Sequence, residues 1–103
     1  MKIQHKIVNS ILYVGMTGEL DEHAAGYTRD FLETLFDKKS IKKVVMDLSD
    51  VSFMDSTGIG VLIGRFKVLK SRGIPIMIAN PSKVVDKILT LSGIYELMPK
   101  VVY

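Results

Sequence analysis

The segment with the most chemical potential is Phe53–Gly60, whose sequence is FMDSTGIG. It contains a carboxylate followed by two hydroxyls, Asp55, Ser56 and Thr57, between a predicted strand and a predicted helix. A helix start exposes unpaired N–H groups and the positive end of the helix dipole, so a phosphate is favoured there. A covalent phosphate on Ser56 or Thr57 is therefore compatible with the fold. Helix capping is the commonest use of these residue types, and the spacing alone leaves both roles open.

A stripe of small residues follows on the same predicted helix. At 100° per residue, Ser56, Gly60, Gly64 and Lys67 fall within an arc of roughly 80°. Each helical glycine costs about 1 kcal/mol relative to alanine, so two of them on an outer face call for a reason. Close approach by another protein is one reason, and close packing by a neighbouring element of this domain is the other. The sequence leaves the two explanations open.

Common enzyme motifs are incomplete in this chain. Gly58–Ile63 lacks the third glycine of the dinucleotide fingerprint, and no Walker A sequence is present. Ser56 is not in a Gly-x-Ser-x-Gly elbow. Asp55–Gly58 resembles the Asp-Thr-Gly of aspartic proteases, but it has an extra residue and no second copy to supply the paired carboxylate. Asp47 after a strand suggests a phospho-aspartate, yet the first strands supply no carboxylate cluster for a metal. We therefore expect no catalytic activity.

Composition narrows the class of partner. The chain has 103 residues, and its net charge of +3 is too small to indicate nucleic-acid binding. The absence of cysteine excludes disulfides and thiolate metal sites, and His5 and His23 lack metal-ligand spacing. No apolar run approaches the roughly 20 residues of a membrane span, and the N-terminus lacks a secretory signal. We expect a cytoplasmic monomer without metal, cofactor or membrane contact, and a solvated basic turn at Lys38, Lys39, Lys42 and Lys43.

Hydropathy patterning predicts one α/β domain over residues 1–103. A strand hairpin turns at Asn9–Ser10, and its second strand is Ile11–Gly18. Asp21 caps a helix from Glu22 to about Lys38, and Val44–Leu48 forms a central strand covered on both faces. The remaining predicted elements are a loop over Ser49–Asp55, a helix from Ser56 or Thr57 to about Arg72, a strand over Ile74–Ala79, a helix after the Asn80-Pro81 cap to Ser92, and a short strand at Val101 and Val102.

Two helices have predicted inward faces. The inward residues are Ile59, Leu62, Ile63, Phe66 and Leu69 in the helix after Asp55, and Val84, Val85, Ile88 and Leu89 in the helix after Pro81. A hairpin followed by alternating helices and strands indicates a mixed sheet of four to five strands. The strands pair in parallel wherever a helix intervenes.

Three segments together resemble a known family. Asp47–Arg65, Gly18–Asp21 and Leu91–Ile94 are similar to the corresponding motifs of bacterial anti-sigma factor antagonists, the STAS-domain family. The likeness covers essentially the whole chain, and it is to the sporulation and general-stress antagonists rather than to the STAS domains of anion transporters. The resemblance implies a single-domain STAS fold.

The resemblance also implies a partner-switching function. The unphosphorylated antagonist binds an anti-sigma factor that is also a serine kinase, which releases the sigma factor. Phosphorylation of the serine matching Ser56 ends this binding, and a PP2C-type phosphatase restores it. Asp55 positions that serine, Asp21 lies at the partner surface, and Gly58, Ile59 and Gly60 begin the docking helix. The predicted partner surface comprises Asp21, Met54, Asp55, Ser56, Thr57, Gly58, Ile59, Gly60, Gly64 and Lys67.

A second function remains open at this point. The same helix start suits a small-anion or nucleotide-binding STAS module of a signalling scaffold or transporter. In that case Ser56 contacts a ligand and is not a substrate for a kinase.

Overall fold

The architecture is an α/β sheet with helices, seen in a computed structural model that describes residues 1–38 and 40–102. The strands are β1 (Lys2–Val8), β2 (Ile11–Leu20), β3 (Lys43–Met54), β4 (Ile76–Ala79) and β5 (Lys100–Val101). The helices are α1 (Glu22–Phe36), α2 (Ser56–Ser71) and α3 (Lys83–Ser92), with a 3₁₀ turn over Ile94–Glu96. Asn9 and Ser10 both have positive φ, which is typical of the two-residue turn predicted between the first two strands.

The sheet has five strands in the order β1-β2-β3-β4-β5. The β1–β2 pair is antiparallel and the other three pairs are parallel, which confirms the predicted mixed sheet. The predicted loop over Ser49–Asp55 is wrong, because β3 continues to Met54 and pairs with β2 as far as Leu20. The pairing of β2 with β3 shifts register after Gly15 and again after Gly18. The two strands therefore end side by side at one edge of the sheet.

All three helices pack on one face of the sheet. One hydrophobic core joins alternate strand residues, such as Leu12 and Met46, to buried residues of α1, α2 and α3. This follows from the strand order, because successive right-handed crossovers in one direction place their helices on the same side. Val45 and Ala79 are also buried but lie outside that core, on the opposite face. The central strand is therefore buried on both faces at Val44–Met46, as expected, although the described helices pack on only one of them.

Helix α2 was predicted closely, but its buried stripe is rotated. Leu62 and Leu69 are buried as expected, whereas Ile59, Ile63 and Phe66 pack against the core only partly buried. Val61 and Arg65 are buried as well, on the side of α2 that meets α1. The buried residues of α2 face α1 as well as the sheet, because α2 packs against both. Sequence periodicity does not show which neighbouring helix a residue faces.

The ends of the other elements differ modestly from the predictions. Helix α1 ends at Phe36 with Asp37 as its C-cap, and Lys39 lies outside the described residues. Ser82, rather than Asn80, is the N-cap of α3. Val84 is 55% exposed, so the prediction that it faces inward is wrong, while Val85 and Leu89 are buried as expected. Gly93 ends α3 at φ 76°, the left-handed cap that glycine favours.

Candidate functional site

The start of α2 presents a hydroxyl to solvent. Asp55 is the N-cap residue in extended conformation, and its Oδ1 accepts the Gly58 backbone N–H at 2.9 Å. Ser56 and Thr57 are the first two residues of the helix, and both are exposed. Asp55 performs the capping, so neither hydroxyl makes the N-cap hydrogen bond. The Ser56 hydroxyl is therefore accessible for modification at the positive end of α2.

The start of α1 lies beside the start of α2. Asp21 caps α1 and accepts the backbone N–H groups of His23 and Ala24, each at 3.0 Å. Leu20 and Met54 are paired residues at the ends of β2 and β3, so the two capping aspartates follow neighbouring positions at the same sheet edge. The Asp55 N–H also donates to the Leu20 carbonyl at 3.4 Å. The structure thus places Asp21 and Asp55 side by side at one edge of the sheet.

Two predicted surface residues belong to the interior. Met54 is 1% exposed at the end of β3, because the segment predicted as a loop is strand. Gly58 is buried, and a Cβ placed there would lie 2.3 Å from the Leu20 carbonyl oxygen and 2.8 Å from Met54 Cγ. Met54 and Gly58 therefore hold α2 against the strand ends, and the expectation that they form part of the exposed surface is wrong.

The outer face of α2 carries the remaining predicted residues. Gly60 and Lys67 are exposed and Gly64 is half-buried. A Cβ at Gly60 or Gly64 would meet nothing within 4 Å, so packing inside the domain does not require either glycine. Ile59 is half-buried beside them and packs against the core. Of the two explanations for the small-residue stripe, this geometry favours a face open to another protein.

Sequence reasoning missed an apolar residue at the same edge. Phe53 is 43% exposed and pairs with Glu19 one position before the strands end. Phe53 falls in the loop predicted over Ser49–Asp55, and loop residues have no periodic pattern that predicts which side chains are buried. Val51 and Met54 are both buried although they are three residues apart, so strand alternation is broken there and gives no signal for the outward facing of Phe53. A cleft of about 310 Å³ lies next to Asp21, lined by Met1, Glu19, Asp21, His23 and Ala24.

A buried charge joins the two helices whose starts form this site. The Arg65 guanidinium on α2 donates to the Glu33 carboxylate on α1. The Arg65 side chain is 10% exposed and that of Glu33 is 55% exposed, so the cation is the buried member of the pair. This ion pair holds α1 against α2 on a side of α2 that differs from the face carrying Gly60 and Gly64.

Metal and membrane features are absent from the residues described. Within 1–38 and 40–102, no three His, Cys, Asp or Glu side chains are grouped so as to hold a metal ion. None of the helices in that part of the chain has the length and apolarity to cross a membrane.

Comparison with known proteins identifies the family. The STAS domain model matches residues 2–102, and the chain belongs to the STAS domain family. The anti-sigma F factor antagonist of Paenibacillus polymyxa is 28% identical over 96% of this chain and 85% of its own length. The anti-sigma-B factor antagonist of Bacillus subtilis is 31% identical over 84% of this chain and 78% of its own length.

Solved structures agree with this assignment. The anti-sigma factor antagonist SpoIIAA in its unphosphorylated form superposes with a TM-score of 0.81 at 27% identity, covering 97% of this chain and 88% of that one. The phosphorylated form of SpoIIAA, described as a Bacillus cell fate determinant, gives 0.73 at 26% identity, covering 97% and 91%. Both coverages extend over nearly the whole of each chain, so the predicted STAS fold is confirmed.

The comparisons also separate antagonists from transporters. A probable sulfate transporter of Arabidopsis thaliana is 36% identical over 62% of this chain, but the match covers only 10% of that protein. The antagonists match along most of their own length. The comparisons therefore favour an anti-sigma factor antagonist over the STAS segment of a transporter, and the antagonist family is regulatory.

Proposed function

We propose that this chain is a partner-switching antagonist whose unphosphorylated form binds an anti-sigma factor that is also a serine kinase. The observation that carries the proposal is an exposed Ser56 at the first position of α2, directly beside a helix face on which Gly60 and Gly64 leave open space. A face without side chains allows another backbone to approach closely. Binding there sequesters the anti-sigma factor, and the sigma factor is released in the cytoplasm, where transcription takes place.

Phosphorylation of Ser56 is the proposed off switch. The Ser56 Oγ attacks the γ-phosphorus of ATP, the bond to the β-phosphate oxygen breaks, ADP leaves, and a base of the kinase accepts the hydroxyl proton. In this reaction Ser56 is the acceptor, and this chain supplies no catalytic group. Hydrolysis of the phosphoserine by a PP2C-type phosphatase restores the hydroxyl and releases inorganic phosphate.

The electrostatics of the site account for the switch. A phosphate adds about −1.5 to −2 charges and bulk next to the Asp55 and Asp21 carboxylates. The start of α2 offsets part of that charge, so the fold is retained. Within a closed interface the dianion loses its water and repels the partner's approach. Moving binding from 99:1 to 1:99 takes about 5.5 kcal/mol, and burial of an unpaired dianion is of that order.

The experiment compares Ser56→Ala, Ser56→Asp and wild type as baits in lysate of the source organism with magnesium ATP present. Thr57→Ala is the matched control, because Thr57 is the neighbouring exposed hydroxyl on the same turn. A small ATP-binding protein kinase should be retained by Ser56→Ala and be depleted on Ser56→Asp. Wild type and Thr57→Ala should both lose it, because the kinase phosphorylates them at Ser56 in magnesium ATP. The recovered kinase should phosphorylate wild type and Thr57→Ala but not Ser56→Ala. Equal retention by the alanine and aspartate baits contradicts the switch.

Purified components then measure the size of the switch. Calorimetric titration of the recovered kinase should show that Ser56→Asp binds at least about tenfold more weakly than Ser56→Ala, which corresponds to about 1.4 kcal/mol. The phosphorylated wild type should bind more weakly still, because a phosphate carries more charge than an aspartate. Monomeric mass in solution, measured by light scattering, is expected for the unbound chain.

A further inference from the structure

The helix-free face of the sheet contains a cavity whose lining includes none of the residues at the start of α2. Its volume is about 580 Å³, within the usual range for small-molecule sites. Two rows of paired residues cross the sheet beneath it. One row is Gln4, Gly15, Asp47 and Ala79, and the next is Lys6, Tyr13, Val45 and Met77.

Gly15 lies at the floor of this cavity in the middle of β2. A Cβ at this position would meet nothing within 4 Å, and Gly15 is not among the glycines with positive φ. Neither packing nor backbone conformation therefore requires a glycine. Glycine weakens a strand by roughly 0.5–1 kcal/mol relative to alanine, and in strands it often marks a bulge or close approach by a ligand. The register shift after Gly15 is such an irregularity, and the open space above Gly15 also leaves room for a ligand. The missing side chain keeps the cavity open.

Asn80 adds a second, independent feature at the rim. It follows β4 directly and has φ 50°, a conformation that residues other than glycine rarely adopt. Such backbone strain concentrates at ligand sites. Asn80 also lies just beyond the carboxyl end of β4, the end at which open α/β sheets bind ligands, whereas Asp47 lies in the first half of β3.

The charges lining the cavity define the ligand chemistry. Lys6 supplies an ammonium group, placed 5.9 Å from the centroid of the Tyr13 ring. Asp47 supplies a carboxylate whose Oδ1 accepts the Ser49 N–H at 2.9 Å, which holds that group in place. Their strands are separated by β2 and the two residues lie in neighbouring rows, so their backbones are about 12 Å apart. A dipeptide spans about 7 Å, which suits two side chains that each reach inward from that separation.

We propose that this cavity binds a dipeptide-sized zwitterion, with its ammonium group at Asp47, its carboxylate at Lys6 and its apolar body above Gly15. Opposite charges at two sides of one concave surface complement a ligand that carries both charges. A ligand with only one charge would leave either Lys6 or Asp47 unmatched. This inference does not depend on the phosphorylation of Ser56.

The test is a titration of isotope-labelled protein with L-alanyl-L-phenylalanine, followed through the amide signals of Gly15 and Ala79 by NMR. The N-acetylated dipeptide lacks the ammonium charge, and the C-terminal amide lacks the carboxylate. The free dipeptide should bind about two- to fivefold more tightly than either blocked form, the size expected for exposed ion pairs. Lys6→Gln should remove only the preference over the amide, and Asp47→Asn only the preference over the acetylated form.

Two further variants complete the design. Gly15→Leu should abolish binding of all three peptides, because a Cβ there enters open space and the leucine side chain occupies the floor of the cavity. Lys2→Gln is the matched control, since Lys2 pairs with Thr17 on the same sheet face but does not line the cavity. It should leave all three affinities unchanged. Absence of shifts at Gly15, equal affinity for the three peptides, or undiminished binding by folded Gly15→Leu would overturn the proposal.

Discussion

Helix α2 carries glycines on both its inner and its outer face, and the two faces differ in the space available for a side chain. Gly58 faces the strand ends, where an added Cβ would overlap the Leu20 carbonyl oxygen. Gly60 and Gly64 face outward, where an added Cβ would meet nothing. Packing at the strand ends requires a glycine at position 58, whereas nothing within 4 Å requires one at position 60 or 64. The two glycines that packing does not require are those at which we propose a partner surface.

The largest expected effect is on the free energy of unfolding, and it concerns the inner face of α2. Gly58→Ala places a Cβ 2.3 Å from a backbone oxygen, so α2 must move away from β2 and β3. We expect a loss of about 3 kcal/mol in the free energy of unfolding, at the upper end for overpacking. Urea denaturation followed by circular dichroism measures it. A variant as stable as wild type would remove the distinction between the inner and outer glycines.

The next effect concerns binding alone. Gly60→Glu adds a charged side chain to the open face, and its folded stability should stay within about 0.5 kcal/mol of wild type. Its affinity for the anti-sigma kinase should fall by about 100-fold, or about 2.7 kcal/mol, because the carboxylate is unpaired in the interface. Gly64→Glu should behave in the same way.

A matched control comes from the far end of the helix. Lys70→Glu makes a change of charge on α2 outside the glycine stripe and should leave affinity nearly unchanged. Global unfolding of Gly60→Glu by circular dichroism would instead support a role for that glycine in packing within the domain.

A smaller effect tests the side of α2 that meets α1. Glu33→Ala leaves the Arg65 cation buried without its carboxylate partner, while Arg65→Met removes the buried charge and keeps much of the packing. We expect Glu33→Ala to cost about 1–2 kcal/mol in unfolding free energy and Arg65→Met to cost less. Chemical denaturation of both variants gives the order. The reverse order would mean that the aliphatic packing of Arg65, rather than its charge, joins the two helices.

The site was predictable from sequence to the extent that it depends on local signals. The predicted cap at Asp21 is confirmed, capping by Asp55 is one of the two roles that the sequence leaves open, and α2 begins at the first of the two predicted positions, Ser56. The burial of Met54 and Gly58 was not predictable, because it depends on β3 continuing beside β2 to Leu20, a long-range pairing interrupted by register shifts. The burial of Arg65 likewise depends on α1 lying against α2. Helix caps depend on a few consecutive residues and can be predicted from sequence. Whether a residue is buried by an element distant in the chain cannot be predicted in this way.

A gain in stability is expected on the outer face. Gly60→Ala and Gly64→Ala fill open space and restrict the unfolded chain, so each should raise the free energy of unfolding by about 0.5–1 kcal/mol. Thermal denaturation of the single and double variants measures the gain, and the two contributions should add. The same variants should bind the kinase no better than wild type, since an added methyl group holds the partner away. A loss of stability would mean that these two glycines are needed for packing within the domain.

The smallest effect lies away from α2 and responds to acid. The pKa of Asp86 is lowered first by the hydrogen bond from the Tyr95 hydroxyl and then by Lys100, whose ammonium lies 3.1 Å from Oδ1. Because its pKa is lower folded than unfolded, Asp86 adds stability above about pH 4 and loses that contribution as the pH falls through the folded value. Asp86→Asn should therefore lose stability at pH 7 but show a flatter decline below pH 4, measured by urea denaturation at each pH. Parallel pH profiles for wild type and Asp86→Asn would show that this cluster does not couple protonation to folding, and that acid acts elsewhere in the chain.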